Sequence, residues 1–570
     1  MLIRVAAPRW TLHPAADPAR ARALARTLEA PEVVGQLLLN RGIGSDEEAQ
    51  RFLTPAWEHL HEPSLLLDMD RAVARIQAAI AAGESILVHG DYDVDGVTST
   101  FMLVAALRAL GAKVDHRIPH RTRDGYGLSV AAVEAIGAAG VHLVITVDCG
   151  ITAFEAVARA AELGVDVVIT DHHEPGHGLP VAAAVINPHR PGCPYPCKAL
   201  AGVGVTFKLV QALLATAGKS EWAQRLLDVV ALGTIADAVP LVGENRVLAR
   251  LGLERLSRPH RPGVQALIEV AGLAGRPIGA GHVAFQLAPR INAAGRMGSA
   301  EQALRLLFAR DVSEARACAQ SLDEDNTRRR ELDERAQLEA AERVEHELGW
   351  PECWSIVLWS EHWHPGILGI VASRLVERFQ RPTVLVGIHE GRGRGSGRSV
   401  AGLDLTQLLA QCDDLLEAYG GHAYAAGLTI AREHLPEFRR RVEEEVRRRV
   451  DPSVFAPRLT LDAGLRLSEC DAGLIEWLDR LPPHGTDNPE PLFLADEVAV
   501  DSISRVGDGR HLKFRAHDAW GSGDAIGFGL GEQADALGAA GRCALAFVPQ
   551  RNDWQGQSRI QLKVRGLKIE

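Results

Sequence analysis

His89-Gly90-Asp91-Tyr92-Asp93-Val94-Asp95-Gly96 carries three carboxylates at alternate positions. That much negative charge in so little chain calls for a cation, since like charges this close repel strongly. Residues 85–88, Ser-Ile-Leu-Val, read as a short buried strand, and the small and apolar residues 97–110 as a helix. The carboxylates then fall on a strand-to-helix turn. In an open parallel α/β sheet such turns lie at the carboxyl edge, where ligands bind, and Gly96 suits a tight turn there. A lone Asp-x-Asp is more often a solvated loop, so the weight rests on the acidic and imidazole clusters farther along the chain.

From residue 85 a strand-then-helix rhythm continues, with further strands predicted over 113–118, 141–147, 165–170 and 183–186, which argues for a parallel sheet. The third strand ends in Asp148-Cys149-Gly150 and the fourth in Asp171-His172-His173. Parallel strands present their carboxyl ends together, so both clusters join Asp91, Asp93 and Asp95 at one edge. A helix over 228–236 then delivers Asp237 ahead of Pro240. One strand-end Asp is more often a helix cap than a ligand. The joint pattern supplies donors for two divalent ions, a metal or phosphate site. Mixed carboxylate and imidazole ligation suits Mn²⁺ at least as well as Mg²⁺, and ligand type alone leaves zinc open.

A chain of 570 residues has room for roughly three or four domains. Its net charge of -11 gives no global attraction to nucleic acid, so any polyanion must meet local basic patches or bound metal ions. No apolar run is long enough for a membrane span, and the start lacks the apolar core of a signal peptide. Eight scattered cysteines do not make a disulfide framework. These features point to the cytoplasm, a reducing compartment. Cys193 and Cys197, with His189 nearby, lack a second pair at zinc-site spacing.

Residues 1–84 are mostly helical in pattern and carry no evident chemistry. Residues 311–348 read as one or two long helices, with Leu332, Ala336, Ala340, Val344 and Leu348 forming one apolar stripe. Such a connector would set a second domain across a cleft from the first. That domain begins near 355, with strands over 355–359 and 383–386 around a helix over 366–379. Gly391-Arg392-Gly393-Arg394-Gly395-Ser396-Gly397-Arg398-Ser399 comes next and reads as a loop. Its glycines permit close backbone approach, and its arginines and serines match phosphate oxygens. From about 457 short alternating strands, over 525–530, 544–548 and 559–564, suggest a small barrel that binds single strands by stacking and basic contacts. Lys513, Phe514, Arg515 and Trp554 are its candidate contacts.

The four clusters at 91–96, 147–150, 171–173 and 237 resemble the motifs of the DHH phosphoesterase superfamily, and within it the single-strand-specific exonucleases. The resemblance continues through 199–204, 289–296, 363–373 and Gly420-Gly421-His422. Residues and resemblance together give an α/β protein: a helical segment (1–84), a parallel-sheet DHH catalytic domain (85–305), a connecting helix (306–350), a smaller α/β DHH-associated domain (351–452) and an OB-type β-barrel (455–570). The family implies a metal-dependent exonuclease that hydrolyses single-stranded DNA from the 5′ end to mononucleotides in repair and recombination, using two Mn²⁺ or Mg²⁺ ions. Asp148 would bridge them, Asp93 would serve one, and Asp95, His172 and Asp237 the other. Asp91 and His173 would be ligands, orienters or proton shuttles. His89 has the His-x-x-x-Asp-x-Asp spacing of related pyrophosphatases, although strand-end histidines also support ligands from behind. Arg121, Arg290, Arg296, Ser396, Arg398, Ser399 and His422 would hold the substrate. Implied partners are single-stranded DNA, a RecQ-type helicase and a single-stranded-DNA-binding protein, for a monomer away from membranes. Residues 483–489, Pro-His-Gly-Thr-Asp-Asn-Pro, stand where the family carries Phe-Gly-x-Gly-Asn-Pro, a departure that touches an interdomain connection. Two alternatives remain at this point: a phosphodiesterase for cyclic dinucleotides or short oligonucleotides, and a DNA-binding scaffold without metals.

Overall fold

Backbone register decides what meets at the edge of the first domain. The structure, a computed structural model, describes residues 8–14, 17–121, 123–554 and 557–569, with backbone alone for 553, 554 and 557. Strands Ser85–Gly90, Lys113–Arg117, Leu143–Val147, Asp166–Thr170 and Ala184–Ile186 form one parallel sheet in the spatial order second, first, third, fourth, fifth. In this doubly wound order the topology switches between the first and third strands, and ligands bind beyond their carboxyl ends. Gly90 lies level with Val147, and Val147 with Thr170. Asp91, Asp148 and Asp171 are therefore the first residues past the edge on three adjacent strands.

Both faces of the sheet are covered, as a parallel sheet requires. Val88, Ile145 and Val147 pack against Met102, Leu103 and Phe207, while Leu87, Val144 and Ile169 pack against Val133 and Val157 on the other face. The helix after the first strand begins earlier than its apolar run suggests, at Val94, because the Asp93 carboxylate caps it by accepting the Gly96 N–H at 3.1 Å. Asp95 and Gly96 thus sit in its first turn. Gly96 is not the turn residue: a side chain there would meet the Asp91 carbonyl oxygen at 2.4 Å.

One helix, Val312–Glu347, leads into the second domain; at about 1.5 Å per residue it runs on the order of 54 Å. Ala336, Ala340 and Val344 of its stripe are buried against Leu368, Val371 and Leu375 of the helix Leu368–Phe379. The Gly/Arg stretch differs from its reading as a loop: Arg392–Arg398 is the middle strand of a five-stranded sheet, between Thr383–His389 and Ala425–Ala431. Alternate residues of a strand face opposite ways. Gly393, Gly395 and Gly397 lie under Val386, Leu428 and Leu405, where an added Cβ would come within 2.6–2.8 Å of a neighbouring side chain. Arg394, Ser396 and Arg398 face the cleft.

The C-terminal strands Phe493–Val506, His511–His517, Ser522–Gly527, Gln557–Ile569 and Arg542–Trp554 pair in that order, and the first closes on the last as a barrel. Residues 8–54 are not a separate helical unit. Strand Arg9–Leu12 pairs in parallel with Arg458–Leu461. Leu24, Val34, Leu37, Leu38 and Phe52 share one core with Leu474, Phe493, Phe514 and Phe547. Among the described residues no helix is long and apolar enough to cross a membrane.

Arg246, in the helix Gly243–Leu256, fastens this assembly to the parallel-sheet domain. It is 2% exposed, stacks 3.8 Å from the Phe52 ring centre, and donates to the carbonyls of Phe52, Arg480 and Leu481 at 2.8, 3.0 and 2.7 Å. Arg246→Met keeps the volume and strands those carbonyls. It should cost about 2–4 kcal/mol, read as a lower midpoint in urea unfolding.

Candidate active site

Five carboxylates and two imidazoles converge at the sheet edge. Ligand-capable atoms of Asp91, Asp93 and Asp148 lie within 4.8 Å of one another, as do those of Asp95, His172 and Asp237, and those of Asp148, His172 and His173. Asp148 therefore reaches toward both sets. Its backbone is left-handed, φ 59°, a conformation that is costly for a residue with a Cβ and persists only where the surroundings enforce it. Gly202 makes room beside it, since a Cβ there would lie 2.6 Å from Asp148 Oδ1.

Buried Asp91 Oδ1, Asp148 Oδ1 and His172 Nε2 have no hydrogen-bond partner among the described residues. His172 Nε2 lies 3.2 Å from Asp148 Oδ1 and 3.6 Å from Asp237 Oδ2. Unsatisfied acceptors facing one another at such distances are expensive, and divalent cations are what this donor set fits. Protonation equilibria agree. Burial, then the neighbouring Asp93, pushes Asp91 well above the usual carboxylate range. Burial followed by Asp95 does the same for Asp148 and Asp237, and burial with Asp93 lifts Asp95 to about 7. Burial lowers His172 to about 4, leaving it neutral, the form that ligates metals.

The surrounding groups aim these ligands. Asp95 is held by the backbone N–H groups of Gly202 and Val203, at 2.8 and 2.5 Å, at the start of the helix Gly202–Thr216. Asp171, first of its triplet, accepts from Ile151 N at 2.9 Å through one oxygen, and from the N–H groups of His172 and His173 at 2.7 and 3.1 Å through the other. That second oxygen also lies 2.7 Å from His173 Nδ1. Burial opposes the charged form of both partners, yet this hydrogen bond holds Asp171 below its ordinary range and His173 above. Asp171 is thus committed to orienting His173. Tyr126 donates to the Asp148 carbonyl at 3.1 Å and lies 3.2 Å from His173 Nδ1, and the Asn292 side chain accepts from Val94 N at 3.2 Å. The sequence reading missed all three roles. Asp171 carried a signal, its place at the strand end, and Asn292 lay in the stretch 289–296 that bears the resemblance, whereas Tyr126 carried none. His89 belongs to none of the ligand groups: it is buried, with Nε2 3.2 Å from the Gly127 carbonyl. Cys193 and Cys197 are free thiols outside these groups.

Beside the acid loop opens a cleft of about 730 Å³ lined by Tyr92, Arg121, Arg296, Ser396 and Arg398. Arg121 lies over the Tyr92 ring at 4.8 Å, Arg296 donates to the Gly366 carbonyl at 2.9 Å, and Arg398 to Ser396 Oγ at 3.2 Å. Burial and then Arg121 lower the pKa of Arg398 and bring that of Arg296 to about 10, the mark of cations gathered for an anion. Gly369 permits this approach, because a Cβ would lie 2.7 Å from Arg398. Three predicted contacts stand elsewhere. Arg290 is paired with Asp323 of the long helix at 2.8 Å, Ser399 donates to the Leu403 carbonyl at 2.7 Å, and His422 is exposed at the end of the strand Leu416–His422. On the barrel Phe514 is a core residue, 2% exposed, while Lys513 and Arg515 point outward. The Trp554 side chain lies outside the described residues.

Known proteins share this architecture. Three family models match: the DHH family N-terminal domain over residues 85–234, the DHHA1 domain over 354–448 and the RecJ OB domain over 461–566. The single-stranded-DNA-specific exonuclease RecJ of Bacillus subtilis (strain 168) is 38% identical over 567 residues, 98% of this chain and 71% of that protein. The chain belongs to the RecJ family. RecJ of Escherichia coli (strain K12) is 35% identical, over 94% of this chain and 95% of that one. The crystal structure of RecJ from Thermus thermophilus in complex with Mn²⁺ superposes with a TM-score of 0.86 at 34% identity, covering 99% of this chain and 80% of that one. Its Mg²⁺ complex gives 0.80 at 33% identity, covering 99% and 78%.

Each acid of the site with a raised pKa titrates higher here than in the unfolded chain, so its ionisation weakens the metal-free fold as pH rises, whereas cation binding needs the ionised form. Stabilisation by Mn²⁺ should therefore be small at acid pH and grow as pH climbs through about 7, where Asp95 loses its proton. Calorimetric midpoints with Mn²⁺ and with EDTA across that range would show it. A pH-independent difference would remove these carboxylates from the ligand set.

Proposed function

We propose that this protein is a metal-dependent exonuclease that hydrolyses single-stranded DNA from its 5′ end. The observation that carries the reading is the adjacency of two facing sets: acids and imidazoles that share Asp148, and a cleft where Arg121, Arg296, Arg398 and Ser396 converge beside Tyr92. Asp91, Asp93 and Asp148 would hold one divalent ion, and Asp95, His172 and Asp237 the other, with Asp148 common to both. Such a pair, when bound, activates water and neutralises charge on the phosphate and the leaving oxygen. Mn²⁺ and Mg²⁺ both suit the donors.

The chain itself binds and orients. A terminal phosphate monoester carries more charge than an internal diester, so a cluster of guanidinium groups selects an end. Tyr92, stacked under Arg121 between two of the acids, offers a ring to the first base. Farther along, the barrel exposes Lys513 and Arg515 together with Trp520 and Phe528, which are 63% and 56% exposed. Exposed aromatics with basic neighbours hold single strands without reading sequence. A barrel of this kind favours long strands over cyclic dinucleotides.

Digestion of 5′-labelled and 3′-labelled single strands, with blunt duplex as control, in Mn²⁺, Mg²⁺ or EDTA tests the reading. Labelled mononucleotide should appear at once from the 5′ label, only with metal and not from duplex. Hydrolysis of dinucleotides with long strands left intact would overturn it. Arg398→Ala should raise KM for 5′-phosphorylated strands roughly 10–100-fold, with a much smaller change for 5′-hydroxyl strands, as expected for loss of one charge-assisted contact.

A further inference from the structure

Asp237 differs from the other acids of the site. Asp91, Asp148 and Asp171 come directly after sheet strands, whereas Asp237 closes the helix Leu227–Ala236 and projects from a turn. The residue after it, Ala238, is left-handed at φ 58°. An alanine resists that conformation, so the turn at 238–241 must be held from outside.

What holds it comes from the other end of the chain. Thr486 Oγ1 donates to the Ala238 carbonyl at 2.7 Å, and the Leu241 N–H donates to the Thr486 carbonyl at 2.9 Å. One residue thus clamps both sides of the turn that carries Asp237. The clamp is itself rigid. Gly485 and Asn488 exchange backbone hydrogen bonds at 3.0 and 3.1 Å, and Gly485 packs so close to Leu241 that a Cβ would lie 2.7 Å away. The fully buried Asn488 side chain donates to the carbonyls of Leu481 and Pro483, and accepts from Arg41 of the N-terminal assembly at 2.8 Å. This is the stretch Pro483–Pro489, where the sequence departs from the glycine-rich family pattern.

We propose that Thr486 is a positioning residue for Asp237, so that the metal centre is completed only when the connection to the barrel is docked against the catalytic domain. Thr486, Gly485 and Asn488 belong to none of the ligand groups and do not line the arginine cleft. The effect of the clamp runs through the direction of the Asp237 carboxylate, and the inference rests on the two-ion reading above.

Thr486→Val keeps the shape and removes the hydroxyl, whereas Thr486→Ser keeps the hydroxyl. The test uses the full chain, stripped with EDTA and titrated with Mn²⁺ by calorimetry, alongside thermal midpoints and steady-state digestion of a 5′-labelled strand. For Thr486→Val, one of two Mn²⁺ sites should weaken about 5–10-fold, the typical loss for one hydrogen bond. kcat should fall at limiting Mn²⁺ and recover at saturating Mn²⁺, with KM for DNA unchanged. Thr486→Ser should match the parent. Unaltered Mn²⁺ binding in Thr486→Val, or a Thr486→Ser protein as impaired as Thr486→Val, overturns the proposal. So does a lowered thermal midpoint with both Mn²⁺ constants intact, since that marks a merely structural contact. Asp237→Asn separates the two readings. If it weakens neither site, or if the parent binds a single Mn²⁺, the two-ion reading itself fails, whatever Thr486 does.

Discussion

Mutual repulsion among carboxylates is the constraint the first domain is built to contain. Five acids crowd one sheet edge, four of them with raised pKa values. Left alone, they would push the carboxyl ends of the first and third strands apart. Backbone amides answer part of that charge at Asp95 and a capped helix answers part at Asp93. The unsatisfied atoms of Asp91, Asp148 and His172 are the remainder, left for cations. Glycines are required by the same crowding. Gly96 and Gly202 stand where a methyl group would collide with Asp91 or Asp148, so the acids can be close only because these positions have no side chain.

Across the cleft the problem is mirrored with the opposite sign. Arg121, Arg296 and Arg398 repel one another, and they are fixed by contacts that do not neutralise them: a ring, a carbonyl and a hydroxyl. Hydrogen bonding to neutral acceptors orients a guanidinium while leaving its charge for a ligand. The helix Ala288–Met297 ties the two halves together, since Asn292 supports the acid loop and Arg296 reaches the second domain at Gly366.

Much of this was legible in the residues. Strand ends, register and the order of acid clusters can be read from hydrophobic runs bounded by Asp and Gly, because a parallel sheet leaves few ways to arrange them. The Gly/Arg strand was misread for a physical reason: glycine weakens strands in general, and only overhanging Val386, Leu405 and Leu428 make it necessary here. Arg290 and Ser399 match a phosphate-binding composition, yet Asp323 and the Leu403 carbonyl, which engage them, are not distinguished by any motif. Phe514 went to the core because strand alternation, not aromatic character, sets its face. Packing of the first helices onto the barrel was illegible, as an amphipathic helix declares that it will be covered but not by what.

That last contact has a consequence in time. Asn40 bonds to the Asp462 carbonyl across 422 residues. At a ribosomal rate of about 5–20 residues per second, the first helices emerge on the order of 20–80 s before the strands that cover them. Through that interval Leu24, Leu37, Leu38 and Phe52 face solvent or a chaperone. The growing chain closes as a loop around its own catalytic domain, and the enzyme is assembled from its middle outward.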